Sequence, residues 1–131
     1  MAENSSNTAS GSHRRGAKRL IIMRHAEADW GLNDFDRPLT KRGHEQAAAA
    51  GAWLASRGYI PEQIMSSSAL RTRQTTTWVS DGLGSKAPTA HLDEGLYEVS
   101  AARIIARING VSENVHSLMV VSHLPGVQDA A

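Results

Sequence analysis

The chain has 131 residues and a net charge of +1, and 40% of its residues are hydrophobic. This length suits a single domain with a buried core. There are no cysteines, which excludes disulfides, thiolate zinc sites and cysteine nucleophiles. No apolar run approaches the roughly 18 residues of a membrane helix, so we expect no membrane partner and a cytoplasmic protein.

The first 18 residues differ in composition from the rest of the chain. They are rich in Ser, Asn and Ala and carry three basic residues against one acidic residue, a balance of +2. Residues 19–131 therefore have 11 basic and 12 acidic residues, which is not the footprint of a nucleic-acid binder. We expect residues 1–18 to be a disordered basic tail and residues 19–131 to form the domain.

The first predicted strand covers about residues 19–23 and has four consecutive apolar residues. A short apolar run of this kind is typical of a strand buried on both faces. Arg24 and His25 follow at its carboxyl end. Thr40 is then a good N-cap for a helix from Lys41 to about Ser56, which Gly58 ends.

The remaining elements alternate between strands and helices. We predict strands at residues 64–66, 91–92 and 117–122, and helices from Ser67 to about Val79, with its serines as caps, and over residues 100–108. Trp53 and Trp78 lie on these helices, and we expect both in the core, whereas Trp30 is expected to rim a site. A further helix pattern begins at Pro125, six residues before the end, so we expect the C-terminal part of the domain to be missing.

This alternation predicts a three-layer α/β/α sandwich with a mostly parallel central sheet. In such a sheet the carboxyl ends of the strands share one edge, where ligands bind. Arg24 and His25, Arg71 and His123 each follow a predicted strand in the same sense. Bidentate arginines match phosphoryl oxygens, and a neutral imidazole can attack phosphorus, so the crevice suits phosphoryl transfer. Glu98 and Glu94 are candidates for the proton donor.

Several segments resemble one known family. The run from Met23 to Ala26 resembles the Arg-His-Gly signature of the histidine phosphatase (phosphoglycerate mutase-like) superfamily, with Ala in the glycine position. The run from Ser67 to Thr75 resembles its Ser-Pro-x-x-Arg-x-x-Gln-Thr block, and the run from Val120 to Gly126 its second-histidine block. Residues 36–43 and 96–98 are similar to the small SixA branch, the protein phosphohistidine phosphatases.

The resemblance implies a role for each matching residue. His25 would be the nucleophile, Arg24 and Arg71 the phosphate clamp, and His123 a further phosphate donor. Glu98 falls where the larger family has its acid, although Glu94 offers a competing alignment and SixA-like members can work without a strong acid. No cofactor and no metal are implied.

Three alternatives remain for the function of such a domain. The leading one is a SixA-type phosphatase whose partner is a phosphorylated protein, for example a histidine-containing phosphotransfer domain. The second is a phosphatase of small phosphomonoesters, and the third is a phosphate- or phosphoprotein-binding module without turnover. A metal-dependent hydrolase is disfavoured, because the histidines lack paired ligand spacing.

Overall fold

The computed structural model describes residues 2–5, 19–30, 33–97, 101–111 and 113–123. Its centre is a five-stranded sheet in the order β1-β2-β5-β3-β4, in which β2, β5, β3 and β4 run parallel and β1 pairs antiparallel with β2. The strands are β1 (Ala2–Ser5), β2 (Arg19–Arg24), β3 (Gln63–Ser67), β4 (Ala90–Asp93) and β5 (Ser117–Ser122). The helices are α1 (Lys41–Ser56), α2 (Leu70–Leu83) and α3 (Ala101–Asn109), with 3₁₀ turns at Asp34–Asp36 and Glu94–Leu96.

The sheet separates two apolar clusters, because successive side chains of a strand point to opposite faces. Met119 and Val121 of β5 pack in a cluster that includes α1 and α2, for instance through Leu54 and Val79. Val120, between them, packs in a second cluster that includes Ile104 of α3. Helices therefore cover both faces, and the predicted three-layer sandwich with a mostly parallel sheet is confirmed.

Helix α1 begins and ends where local sequence signals predict. Thr40 is extended, and its Oγ1 accepts a hydrogen bond of 2.9 Å from the backbone N–H of Gly43. This contact satisfies one of the free N–H groups of the first turn. At the other end Gly58 has φ +72°, a left-handed conformation that favours glycine after a helix.

Helices α1 and α2 cross at two glycines. A Cβ atom on Gly51 would lie 2.1 Å from the carbonyl oxygen of Val79, and one on Gly82 would lie 2.2 Å from that of Ala48. The small residues of α1 thus bring the backbone of α2 close. This approach sets where α2 delivers its first-turn arginine, Arg71.

Three sequence predictions need correction. The expectation of disorder over residues 1–18 is wrong for Ala2–Ser5, because pairing with the edge of β2 needs only backbone groups and no apolar side chains; residues 6–18 lie outside the described part. No serine caps α2, since Ser67 ends β3 and the N-cap is Ala69 without a side-chain hydrogen bond. The helix also continues to Leu83, where Gly84 with φ +94° follows.

Trp53 and Trp78, expected in the core, are 42% and 37% exposed. Trp53 lies two positions after Gly51, on the side of α1 away from that contact, whereas Trp78 lies one turn before Gly82 and stacks on His44 of α1 at the rim of the helix pair, with ring centroids 5.1 Å apart. The predicted helix after Pro125 lies outside the described residues. Among the helices that are described, none has the length and apolarity to cross a bilayer.

Candidate active site

The two histidines lie side by side because their strands are neighbours in register. Arg24 of β2 is paired with Ser122 of β5, and the backbone N–H of His25 donates to the carbonyl oxygen of Ser122 over 3.1 Å. Each histidine is the first residue after its strand, and the ring centroids of His25 and His123 are 5.6 Å apart. This is the strand edge at which parallel sheets bind ligands.

The His25 ring is oriented by its own loop. Its Nδ1 lies 2.8 Å from the carbonyl oxygen of Ala26, which can only accept, so Nδ1 carries the proton and Nε2 keeps a free lone pair. Burial, followed by the charges of Arg71, Arg24 and Arg37, lowers the pKa of His25 to about 4, although the hydrogen bond to Ala26 acts in the opposite direction. The imidazole is therefore neutral at pH 7 and can act as a nucleophile.

His123 is buried and is held by the end of β3. Its Nε2 is 2.7 Å from the hydroxyl oxygen of Ser67, and its Nδ1 has no hydrogen-bond partner within the described part of the chain. Because the Ser67 hydroxyl can donate to Nε2, the ring can carry its proton on Nδ1, ready for an acceptor. Burial, followed by the charge of Arg71, lowers the pKa of His123 to about 4.

Arg71 lies in the first turn of α2, and its side chain is only 5% exposed. Its Nη1 donates to the carbonyl oxygen of Asp34 over 2.6 Å, and its Nη2 to Oδ2 of the same residue over 3.1 Å. Tyr97 also donates its hydroxyl to Oδ2 over 2.5 Å. The Tyr97 bond and Arg71 together lower the pKa of Asp34 to about 2, so its carboxylate is charged.

A cavity of about 490 Å³ opens on one side of His25. Arg24 and Arg37 contribute their charges to its lining, which does not include Arg71 or His123. Thr75 connects the two sides, since its Oγ1 accepts from the backbone N–H of Ala26 and donates to the carbonyl oxygen of Arg71. His25 thus lies between the open cavity on one side and Arg71 and His123, the two buried candidates for phosphate binding, on the other.

The structure brings together four of the predicted site residues, Arg24, His25, Arg71 and His123, around one strand edge. Glu98 lies outside the described residues, and Glu94 is exposed in its 3₁₀ turn. Trp30 is 84% exposed and stacks on the guanidinium of Arg37 at 4.7 Å, next to the cavity rather than in its lining.

Sequence reasoning assigned no role to four further residues near the site: Asp34, Arg37, Ser67 and Tyr97. Ser67 could have been found by the same rule as the histidines, because it is a polar residue at the carboxyl end of a buried strand. Arg37 lies in the segment 36–43 that resembles the SixA branch, although no role was assigned to it, whereas nothing local distinguishes Asp34 from the other two aspartates of its loop.

A neutral histidine, a second histidine and clustered arginines lie at one sheet edge, and these groups are chemically suited to a phosphoryl group. The sequence profile described as "Histidine phosphatase superfamily (branch 1)" matches residues 20–123. The chain belongs to this superfamily, as its motifs indicated.

Within the superfamily the similar solved structures include SixA proteins. The structure assigned to the phosphohistidine phosphatase SixA of Nakamurella multipartitia is 35% identical, with a TM-score of 0.74 over 86% of this chain and 63% of that one. The protein histidine phosphatase SixA complexed with tungstate is 30% identical, with a TM-score of 0.78 over 85% of this chain and 72% of that one. The predicted resemblance to the SixA branch is confirmed.

An uncharacterised protein of Mycobacterium tuberculosis is 39% identical over 105 residues. The match covers 79% of this chain and 63% of that relative. The chain thus spans less than two thirds of the length of this curated relative.

Proposed function

We propose that this chain is a phosphatase of the SixA type, which removes phosphate from phosphohistidine in proteins through a covalent intermediate on His25. The observation that carries the proposal is the neutral His25 ring, with Nδ1 bonded to Ala26 and Nε2 free, beside three arginines. A protonated imidazole has no lone pair to attack phosphorus, so the lowered pKa keeps this residue in its reactive form at pH 7.

The reaction has two steps. The Nε2 lone pair of His25 attacks phosphorus while the bond from phosphorus to the substrate's imidazole nitrogen breaks, and that nitrogen takes up a proton. Water then attacks phosphorus in the phosphorylated His25, which releases inorganic phosphate and regenerates the imidazole. Arg24, Arg71 and the Nδ1–H of His123 would stabilise the phosphoryl oxygens as charge shifts. The first proton comes from Glu98, from Glu94 or from water.

The open side of the site supports a protein substrate. The cavity beside His25 is open, and Arg37 of its lining stacks on the exposed Trp30, so a phosphohistidine on a protein surface could approach His25 from this side. A phosphorylated histidine-containing phosphotransfer domain is the proposed partner. The cytoplasmic location remains a prediction.

The test is to trap the intermediate and compare substrates. The chain is mixed with a phosphorylated phosphotransfer domain, quenched at alkaline pH and mapped by mass spectrometry. We expect phosphate on His25, and none in His25→Ala. The matched control is His116→Ala, because His116 is exposed before β5, at the opposite end of that strand from His123.

Two results would contradict the proposal in different ways. If the phosphoprotein were ignored while a sugar phosphate or phosphoglycerate was hydrolysed rapidly, the chain would be a small-molecule phosphomonoesterase. If no adduct formed with any donor while phosphate still bound, it would be a binding module.

A further inference from the structure

We propose that Asp34 is a positioning residue of the phosphate clamp, which holds one edge of the Arg71 guanidinium so that its Nε is left for the phosphoryl group. This inference rests on the proposed use of Arg71 as a phosphate ligand. It adds an acidic residue, from a loop 37 positions away in sequence, to a site that binds anions.

The contacts of Arg71 are divided between its two edges. A guanidinium can offer a bidentate pair of donors either at its end, through Nη1 and Nη2, or at its side, through Nε and one Nη. Asp34 takes the end, with its carbonyl oxygen on Nη1 and its carboxylate on Nη2. Nε is buried and has no acceptor within the described part of the chain.

A buried donor without an acceptor is costly, since it has lost its hydrogen bonds to water. An oxyanion that reaches Nε would remove this cost, and Nη2 has a second N–H for the same ligand. Nδ1 of His123 is also buried without a partner among the described residues, and it is a second such donor when the Ser67 hydroxyl donates to Nε2. The charge of Arg71 acts on the His123 ring, so both residues are placed to offer an N–H to an acceptor that the described residues do not supply.

Asp34 has further partners besides Arg71, so its contact with Arg71 is part of a network and is not incidental. Its carboxylate also accepts from the Tyr97 hydroxyl, and its Oδ1 lies 3.4 Å from Nη1 of Arg37, the arginine that lines the open cavity. One carboxylate thus joins two arginines that would otherwise repel each other. It offsets part of the positive charge in the free protein and fixes the direction of both guanidinium groups.

The alternative interpretation, in which Asp34 competes with phosphate for Arg71, predicts the opposite change in anion affinity. If Asp34 merely occupied Arg71 in place of phosphate, its removal would strengthen anion binding. If Asp34 positions Arg71, its removal lets the guanidinium rotate and weakens anion binding. Misplacement of a catalytic or binding group by about 1 Å can lower a reaction rate on the order of 100-fold.

The test measures inorganic phosphate binding by titration calorimetry, which does not depend on turnover. In Asp34→Asn we expect the dissociation constant to rise by about 10-fold to 100-fold. Asp36→Asn is the matched control, because Asp36 is an exposed aspartate of the same 3₁₀ turn whose carboxylate bonds to Asn33. Circular dichroism and thermal melting should show both variants folded.

A spectroscopic signature separates positioning from a general loosening of the fold. Phosphate should shift the ¹⁵N–¹H signal of Arg71 Nε in the unmodified chain and in Asp36→Asn, and should leave it nearly unchanged in Asp34→Asn. Equal or tighter phosphate binding by Asp34→Asn overturns the inference. So does a complete lack of phosphate binding by the unmodified chain.

If Asp34→Asn does not fold, a crystal structure of the unmodified chain with bound tungstate tests the inference instead. We expect Arg71 to keep both bonds to Asp34 while Nε approaches a tungstate oxygen. Release of Asp34 by Arg71 in that complex would overturn the inference. Failure of the proposed function looks different, because it would appear as phosphate binding without hydrolysis of any phosphohistidine.

Discussion

At the scale of single residues, the candidate site has two neutral histidines, of which His123 is buried and His25 is partly buried beside the open cavity. Both have their pKa lowered to about 4, mainly by burial, from an ordinary value of 6.5. The two rings have different partners, however: His25 donates to a carbonyl, which can only accept, whereas His123 meets a hydroxyl that can also donate. Their chemistry therefore differs although their protonation is alike.

The His25 ring should remain neutral well below the usual histidine range. In a ¹H NMR titration of the folded chain, we expect its ring protons to titrate near pH 4, because the surroundings disfavour the cation. The chain unfolded in urea is the control and should titrate near 6.5. A midpoint near 6.5 in the folded chain would show that burial is not the controlling factor.

Ser67 should support catalysis through His123. Ser67→Ala leaves Nε2 of a buried ring without its partner, so kcat/KM for a phosphorylated substrate should fall about 10-fold or more. Ser68→Ala is the matched control, because the Ser68 hydroxyl is buried without a hydrogen-bond partner among the described residues. Equal losses in the two variants would show that the strand end, not the Ser67 hydroxyl, matters.

At the scale of elements, the crossing of α1 and α2 is the contact on which the position of Arg71 depends. Neither glycine at this crossing has a positive φ, so it is the space around them, and not the backbone conformation, that requires glycine. Thr75 of α2 then connects the helix to the loop after His25 through the backbone of Ala26. A displacement of α2 would move Arg71 and disturb that loop together.

Gly51→Ala should therefore destabilise the fold. The added methyl would lie 2.1 Å from a backbone oxygen of α2, so the helices must separate, at a cost of about 1–3 kcal/mol in the free energy of unfolding. Urea denaturation measures this. Gly110→Ala is the control, since a Cβ there has its nearest neighbour at 3.5 Å. A neutral Gly51→Ala would mean that the helices slide without penalty.

At the scale of the whole molecule, the lowered pKa values of His25 and His123 couple stability to pH. Below pH 6.5 the unfolded chain binds protons at both histidines, whereas the folded chain does not until about pH 4. The free energy of unfolding should therefore increase with pH between about 4 and 6.5 and level off above, because the unfolded state binds more protons in that window. The depressed pKa of Asp34 acts in a separate window, between 3.8 and about 2.

This coupling can be measured by urea unfolding at several pH values. We expect the slope of stability against pH between 4 and 6.5 to be smaller in His25→Asn than in the unmodified chain. His116→Asn, on the exposed His116, should keep the original slope. Identical slopes in all three proteins would contradict a lowered pKa of His25 in the folded chain.

The sequence by itself predicted the parallel strands, most helix boundaries and the candidate site residues that follow those strands. Buried parallel strands are continuous apolar runs, so β2 and β5 could be predicted directly from the sequence. Because the carboxyl ends of parallel strands share one edge of the sheet, the residues that follow β2 and β5 were expected to lie together. Thr40 and Gly58 likewise marked the ends of α1 through local backbone chemistry. These features are set by residues that are adjacent in sequence, so the sequence alone is enough to predict them.

Only the tertiary structure decided which face of each helix is buried and which distant groups meet. Trp53 and Trp78 were expected inside, but both lie at the surface, because helical periodicity does not say which face a neighbour covers. Asp34 and Arg71 are 37 residues apart, and no local pattern pairs them. Their contact exists because the fold brings a loop and a helix start together, which spacing along the chain does not encode.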